Sequence, residues 1–154
     1  MDFRLSEEQQ AFARAAREFA QGELAPKAAH WDAHGIFPRE AFAKAGELGF
    51  CALYAPESIG GLGLPRLDAT LVFEEMAAVD PSTTAFLTIH NMATWMIGQW
   101  AAPAVRDHWG PLLASGEKLA SYCLTEPDSG SDAASLATRA QREGGDYVIH
   151  GAKA

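Results

Sequence analysis

The segment Tyr122–Asp132, with the sequence YCLTEPDSGSD, contains the groups of this chain that are best suited to bind a ligand. A strand that ends in a Pro-Asp-Ser-Gly-Ser turn would present several backbone amides and hydroxyls close together. Amide donors stabilise negative charge without titrating, so such a group suits a phosphate or an electron-rich heterocycle. An ordinary turn between a strand and a loop has the same composition, and the residues alone leave both interpretations open.

The sequence gives little support for a metal site or for a phosphate-binding loop. His30 and His34 would face the same side of a helix, but Gly35 predicts that this helix ends, and the HExxH motif of zinc enzymes is absent. The glycine-rich segment 53–64, LYAPESIGGLGL, has neither the GxGxxG spacing nor a Walker lysine. We therefore predict no metal site, and a tight turn rather than a phosphate loop.

A hydrolase site is also disfavoured. Ser129, Ser131 and Asp132 lie close together in the sequence, but no GxSxG motif surrounds them and no nearby histidine completes a triad. Adjacent serine and aspartate residues more often form turns.

Composition and charge limit the class of protein. The chain has 154 residues, of which 48% are hydrophobic and 21% charged, and this composition is typical of a globular protein. Its net charge is -8, with 12 basic against 20 acidic residues, so we expect no nucleic-acid partner. Two distant cysteines without a CxxC motif favour a reducing compartment, and the amino terminus carries no secretory signal pattern.

Helical periodicity extends over about the first 115 residues. Ser6 and Gln9 form a predicted capping box at the start of a first helix, and Pro26 predicts a kink or an end of that helix. Pro38 opens a second helix that Gly49 stops. Three apolar residues of the second helix are predicted to face inward: Phe42, Ala45 and Leu48.

Two further long helices and a shorter one follow. Asp68 is predicted to cap the third helix, the fourth runs from Ser82 to about Trp100, and a shorter piece covers Pro103–Leu113. The stretch 81–105 carries no Asp, Glu, Lys or Arg and is long enough to cross a bilayer. Eight polar residues interrupt it, however, so we predict a buried helix and no membrane span.

Strand patterns begin after residue 117. Lys118–Thr125 has strand character, and Ser135–Arg142 is predicted to pair with Asp146–His150 across Gly144-Gly145. The predicted fold is therefore mainly α: a helical-bundle domain over residues 1–117, followed over 118–154 by the first strands of a β-barrel or sandwich domain. Because the chain ends directly after a strand, we expect this second domain to be truncated.

Several motifs, in order, resemble the acyl-CoA dehydrogenase family. YCLTEPDSGSD resembles the family's TEP-x-x-GSD signature, and LSEEQQAFARAAREFAQGELAP resembles its first helix. APESIGGLGL resembles the P-E-x-x-G-G-x-G loop, and GDYVIHGAKA the G-x-K hairpin. The resemblance covers essentially the whole chain. Two segments, TIHNMATWM and ASYCLTEPDSGSDAASL, look most like the branch of the family that acts on isobutyryl-CoA.

The resemblance implies an oxidoreductase that uses FAD. In this family a carboxylate removes the α proton of an acyl thioester while hydride leaves the β carbon for the flavin, and the protein supplies orientation and hydrogen bonds. By position, Tyr122, Leu124 and Thr125 are expected to line the flavin ring. Gly130 and Ser131 are expected beside the ligand, with Ser131 reaching the flavin or the coenzyme A portion of the substrate.

Other residues receive supporting roles from the same resemblance. Ala85, Phe86 and Ile89 of the fourth helix are expected to form a wall of the acyl pocket, where bulky apolar residues would shorten the pocket and suit a short branched acyl group. Plain core packing of these three residues is the alternative. Glu126 and Asp132 are expected to orient the turn.

The resemblance leaves the catalytic residue unassigned. The family's catalytic glutamate belongs to a carboxy-terminal helical domain that this sequence lacks, so we expect the 154-residue chain alone to have no dehydrogenase activity. The implied partners are an acyl-CoA substrate, an electron-transfer flavoprotein and three further copies in a homotetramer. The implied location is the bacterial cytoplasm or the mitochondrial matrix. Two alternatives stay open: a non-catalytic helical interaction module, and an acyl-CoA oxidase-like flavoenzyme.

Overall fold

The computed structural model describes residues 4–154 and divides into two compact units. The helical unit is Met1–Ser121 and the hairpin unit is Tyr122–Ala154. The predicted order of helices followed by strands is confirmed. The domain boundary after residue 117 stays a prediction, because a compact unit need not be a domain that folds independently.

The described part of the helical unit contains six α-helices. These are α1 (Glu7–Phe19), α2 (Ala28–His34), α3 (Arg39–Glu47), α4 (Arg66–Ala77), α5 (Pro81–Trp100) and α6 (Pro103–Ala114). A π-helical turn, Ala20–Leu24, follows α1, and a 3₁₀ turn, Glu57–Ile59, interrupts the long connection between α3 and α4.

The ends of the first helices follow their local signals. The Ser6 hydroxyl accepts a hydrogen bond from the Gln9 amide at 3.1 Å, and the Gln9 side chain accepts one from the Ser6 amide at 3.0 Å, so the predicted capping box is confirmed. The helical run leaves α geometry before Pro26, as predicted, and α2 begins only at Ala28. Gly35 ends α2 with a left-handed φ of 61°.

Two predictions about helix residues are wrong. Leu48 was expected to face inward, but α3 ends at Glu47, and Leu48 lies beyond the helix with 52% of its surface exposed. Asp68 does not cap α4, because the helix already begins at Arg66 after Pro65. The Asp68 carboxylate instead accepts a hydrogen bond from the Gln9 side chain at 2.8 Å and so links α4 to α1.

The buried polar side chains of helix α5 form the polar centre of the helical unit. The Asp80 carboxylate caps its first turn by accepting from the Thr83 amide at 3.0 Å. The fully buried side chain of Asn91 accepts from the Leu53 amide at 2.7 Å and donates to the carbonyl oxygens of Phe50 and Leu87 at 2.8 and 2.9 Å. Asn91 therefore attaches the irregular segment 50–53 to α5.

Apolar side chains of several helices surround this polar centre. The largest of them come from the first helical run, α3, the loop after it, α4 and α5: Phe19, Leu24, Phe42, Phe50, Leu53, Val72, Met76 and Leu87. The chain also approaches itself closely at Gly46, where an added Cβ would lie 2.0 Å from the Ser115 carbonyl oxygen. Glycine is therefore required for this contact. Among residues 4–154, no helix is both long and apolar enough to cross a membrane.

The hairpin unit contains one antiparallel strand pair. Strand β1 (Arg139–Glu143) pairs with β2 (Asp146–His150), with Arg139 opposite His150 and Glu143 opposite Asp146. The predicted hairpin across Gly144-Gly145 is confirmed, although β1 begins at Arg139 because Ala133–Ser135 forms a 3₁₀ turn.

The strand predicted over Lys118–Thr125 is wrong. These residues have no regular secondary structure, and no described residue pairs with them in a β-ladder. Residues with strand propensity form a strand only when a partner strand completes their hydrogen bonds.

Replacing Asn91 tests the polar centre. We expect Asn91→Leu to lower the free energy of unfolding by about 2–4 kcal/mol, because it leaves the Leu53 amide and the Phe50 carbonyl buried without partners. Urea denaturation followed by circular dichroism measures this change. The exposed Gln99→Leu on the same helix is the control; equal stability of the two variants would contradict the assigned role of Asn91.

Candidate functional site

The five predicted cofactor-binding residues lie within one short segment of the hairpin unit. Tyr122 is 41% exposed, and Thr125, Gly130 and Ser131 are also exposed, whereas Leu124 is half-buried. Their backbone is irregular up to Thr125 and then enters a tight turn. The groups that sequence reasoning selected are therefore accessible to a ligand.

The turn is closed by its own backbone. The Glu126 amide donates to the Ser129 carbonyl oxygen at 2.8 Å, and the Ser129 amide donates to the Glu126 carbonyl oxygen at 3.1 Å, around Pro127 and Asp128. The Ser129 hydroxyl donates to the Asp132 carbonyl oxygen at 2.6 Å. These bonds fix the turn without using the hydroxyls that flank it.

The flanking groups form a neutral donor set. Within residues 4–154, the hydroxyls of Thr125 and Ser131 and the Thr125 amide make no hydrogen bond. An added Cβ at Gly130 would meet no atom within 4 Å, so a ligand could approach this backbone closely. Uncharged hydroxyl and amide donors fit the carbonyl oxygens and ring nitrogens of a flavin, and also fit phosphate oxygens.

Glu126 stabilises the turn through hydrogen bonds with residues outside it, and it is unsuited to proton transfer. Its carboxylate, only 7% exposed, accepts from Lys153 Nζ at 2.8 Å and from the amides of Ala137 and Thr138 at 2.7 and 3.0 Å. The Lys153 ammonium, together with these amides, lowers the pKa of Glu126 to about 2. Glu126 therefore stays ionised and fully bonded at physiological pH, in agreement with an orienting role.

The predicted acyl-pocket residues lie on an exposed face of α5. Phe86 is 56% exposed, Ile89 is 41% exposed and Ala85 is also exposed. None of these three residues is buried among the described residues, and their role in an acyl pocket stays a prediction. The Phe86 ring contacts the Phe37 ring edge-on, with the ring centroids 5.2 Å apart.

A small apolar cavity lies beside Phe86. Its volume is about 190 Å³, and its lining residues are Phe37, Phe42, Phe86, His90, Leu119, Ala120 and Ser121. Sequence reasoning missed Phe37 and Leu119 because both belong to loops, where no periodicity reveals which side chains meet.

The imidazole of His90 is a structural element of the cavity wall. Nδ1 accepts a hydrogen bond from the Ala120 amide at 3.1 Å, so the ring proton lies on Nε2, which donates to the Leu113 carbonyl oxygen at 2.9 Å. Burial of the ring lowers the pKa of His90, and the charge of Arg39 lowers it further. His90 is thus held neutral and joins α5 to the end of α6.

The state of His90 predicts how stability depends on pH. Because the pKa of His90 is lower in the folded than in the unfolded chain, the unfolded chain binds more protons below about pH 6.5. We therefore expect the free energy of unfolding to fall as the pH decreases from about 6.5 towards 5.

Replacing His90 tests whether this residue causes the pH dependence. His90→Gln should reduce the slope of the free energy of unfolding against pH, as measured by urea denaturation at several pH values. Gln99→Leu, at an exposed position on the same helix, should leave the slope unchanged. Equal slopes in all three proteins would contradict the assignment.

Comparisons with known proteins identify relatives of both units. The sequence model of the family described as "Acyl-CoA dehydrogenase, N-terminal domain" matches residues 6–117. The mitochondrial isobutyryl-CoA dehydrogenase of Dictyostelium discoideum is 47% identical over 150 residues, which are 97% of this chain and 36% of the relative.

Two solved structures have similar folds. A glutaryl-coenzyme A dehydrogenase in complex with glutaryl-CoA superposes with a TM-score of 0.92 and 33% identity, over 99% of this chain and 40% of that protein. The FAD complex of PigA superposes with a TM-score of 0.92 and 28% identity, over 99% of this chain and 41% of that protein. The chain therefore spans about two fifths of the length of these relatives.

Proposed function

Because the chain belongs to the acyl-CoA dehydrogenase family, we propose that it forms the amino-terminal part of a flavin-dependent enzyme that introduces a double bond between the α and β carbons of an acyl-CoA. The observation that carries this proposal is the neutral donor set of Thr125 and Ser131, beside the open backbone of Gly130, on a turn that Glu126 holds in place.

FAD is the proposed cofactor. The Thr125 amide and hydroxyl would bond the polar edge of the flavin ring, and Tyr122 and Leu124 would pack along the ring. Gly130 and Ser131 would lie beside the ligand's polar groups. When bound, the flavin supplies the hydride acceptor, and the residues of this chain orient it and exclude water. The similar fold of PigA, which was solved as an FAD complex, supports this assignment.

The proposed substrate is a short-chain acyl-CoA, with the branched isobutyryl group as the leading candidate. The exposed apolar side chains of Phe86 and Ile89, with Ala85 beside them, would bind the acyl group. Bulky side chains shorten a pocket and so favour a short acyl group. The identity with an isobutyryl-CoA dehydrogenase supports this substrate.

The proton-abstracting carboxylate is proposed to come from residues outside this chain. Glu126 is a poor candidate, since it is bonded to an ammonium group and two amides and its pKa is about 2. General bases work best with a pKa near the operating pH. The 154-residue chain alone is accordingly expected to be inactive.

Partners and location complete the proposal. Electron-transfer flavoprotein is the proposed electron acceptor, and a homotetramer is the proposed assembly of the complete protein. The mitochondrial matrix is the proposed location in a eukaryote, which the mitochondrial relative from Dictyostelium supports, and the cytoplasm is the proposed location in a bacterium.

Replacing Thr125 tests the cofactor proposal. In the full-length protein that contains this chain, we expect Thr125→Val to weaken FAD binding about 3- to 10-fold, which corresponds to the loss of one hydrogen bond. Fluorescence titration of the apoprotein with FAD measures the change in affinity.

Thr70→Val is the matched control, because Thr70 is an exposed residue of α4 whose hydroxyl bonds the Arg66 carbonyl oxygen. This variant should bind FAD as the wild type does. A full-length wild-type protein that neither purifies with flavin absorption bands nor binds added FAD would contradict the proposal and favour the interaction-module alternative.

A further inference from the structure

Lys153 joins two parts of the hairpin unit through a single ammonium group. Its Nζ donates to the Leu124 carbonyl oxygen at 2.8 Å and to Glu126 Oε1 at 2.8 Å. Leu124 belongs to the proposed flavin-binding segment, whereas Lys153 lies 29 residues later, after β2. The ammonium group therefore bonds the backbone just before Thr125 and the side chain just after it.

Two further contacts restrain the same short segment. The Ala154 amide donates to the Thr125 carbonyl oxygen at 2.9 Å. The Glu126 carboxylate also accepts from the amides of Ala137 and Thr138, which precede β1. The acceptors of residues 124–126 are thus bonded by residues from two other parts of the hairpin unit.

These bonds leave a defined set of groups for a ligand. The carbonyl oxygens of Leu124, Thr125 and Glu126 all have partners, whereas the Thr125 amide and hydroxyl have none among residues 4–154. A backbone whose carbonyl groups are fixed has little freedom to rotate its amides. The direction of the free Thr125 donors therefore depends on the bonds made by their neighbours.

We infer that Glu126 and Lys153 are positioning residues, which hold the Leu124–Thr125 backbone in the conformation that bonds the flavin. The inference rests on the proposed function, since Thr125 is taken as a flavin-binding residue. Neither Glu126 nor Lys153 is required to contact the cofactor. Their ion pair acts through the backbone, in the way that residues behind a binding site orient those that contact the ligand.

The chemistry of the pair explains why both members are needed. A carboxylate that is buried and bonded to two amides is stabilised further by the ammonium group, as the depressed pKa of Glu126 indicates. Removing the ammonium group leaves the carboxylate without its counter-charge and frees the Leu124 carbonyl. We expect the segment 124–126 then to adopt several backbone conformations.

The experiment uses the full-length flavoprotein with Lys153→Met, which keeps the length of the side chain but removes its charge and its donors. We expect the dissociation constant for FAD to rise about tenfold and the visible absorption bands of the bound flavin to shift. Lys153→Arg, which restores a charged donor, should recover most of both properties. Arg139→Met, at an exposed position of β1, is the matched control for loss of a positive charge and should change neither.

A purely structural role gives a different result. Lys153→Met would then melt at a lower temperature, but below that temperature its FAD affinity and flavin spectrum would equal those of the wild type, and this outcome overturns the inference. If Lys153→Met does not fold, Glu126→Gln is judged by the same two measurements, because it keeps a hydrogen-bond acceptor while removing the ion pair. Absence of flavin from the wild type would overturn the proposed function itself.

Discussion

The buried polar side chains of α5 must all find hydrogen-bond partners, and the helical unit is arranged around this requirement. Asn91 bonds the backbone of the loop after α3, and His90 bonds the end of α6 and the Ala120 amide. Helix α5 buries His90 and Asn91 together with Leu87, whereas Phe86 and Ile89 of the same helix stay exposed.

In the hairpin unit, a buried charged group likewise has hydrogen-bond partners. Glu126 is buried because Lys153 and two amides compensate its charge, and the bonds that do so also fix the backbone on either side of Thr125. Its carboxylate is therefore unavailable for chemistry, while uncharged donors remain exposed nearby. Such a site can bind and orient a cofactor, and the proposed reaction takes its base from elsewhere in the complete protein.

Sequence patterns predicted the features that depend on neighbouring residues. The capping box at Ser6, the helix end at Gly35 and the hairpin across Gly144-Gly145 each rest on interactions within a few positions. The prediction of a strand over Lys118–Thr125 was wrong, because a strand needs hydrogen bonds from a partner strand that can be distant in the sequence. For the same reason, the bonds of Lys153 to residues 27 and 29 positions earlier left no local signal beyond the G-x-K resemblance.

Anaerobic titration of the full-length protein with isobutyryl-CoA tests whether the proposed substrate reduces the bound flavin. The purified protein should show flavin absorption bands, and these bands should bleach on addition of the acyl-CoA as the oxidised flavin becomes reduced. Glutaryl-CoA and long-chain acyl-CoA should bleach the bands less at equal concentration, because Phe86 and Ile89 would restrict the acyl site. A flavin spectrum that no acyl-CoA changes would contradict the proposed reaction, and a protein without flavin would contradict the proposed cofactor.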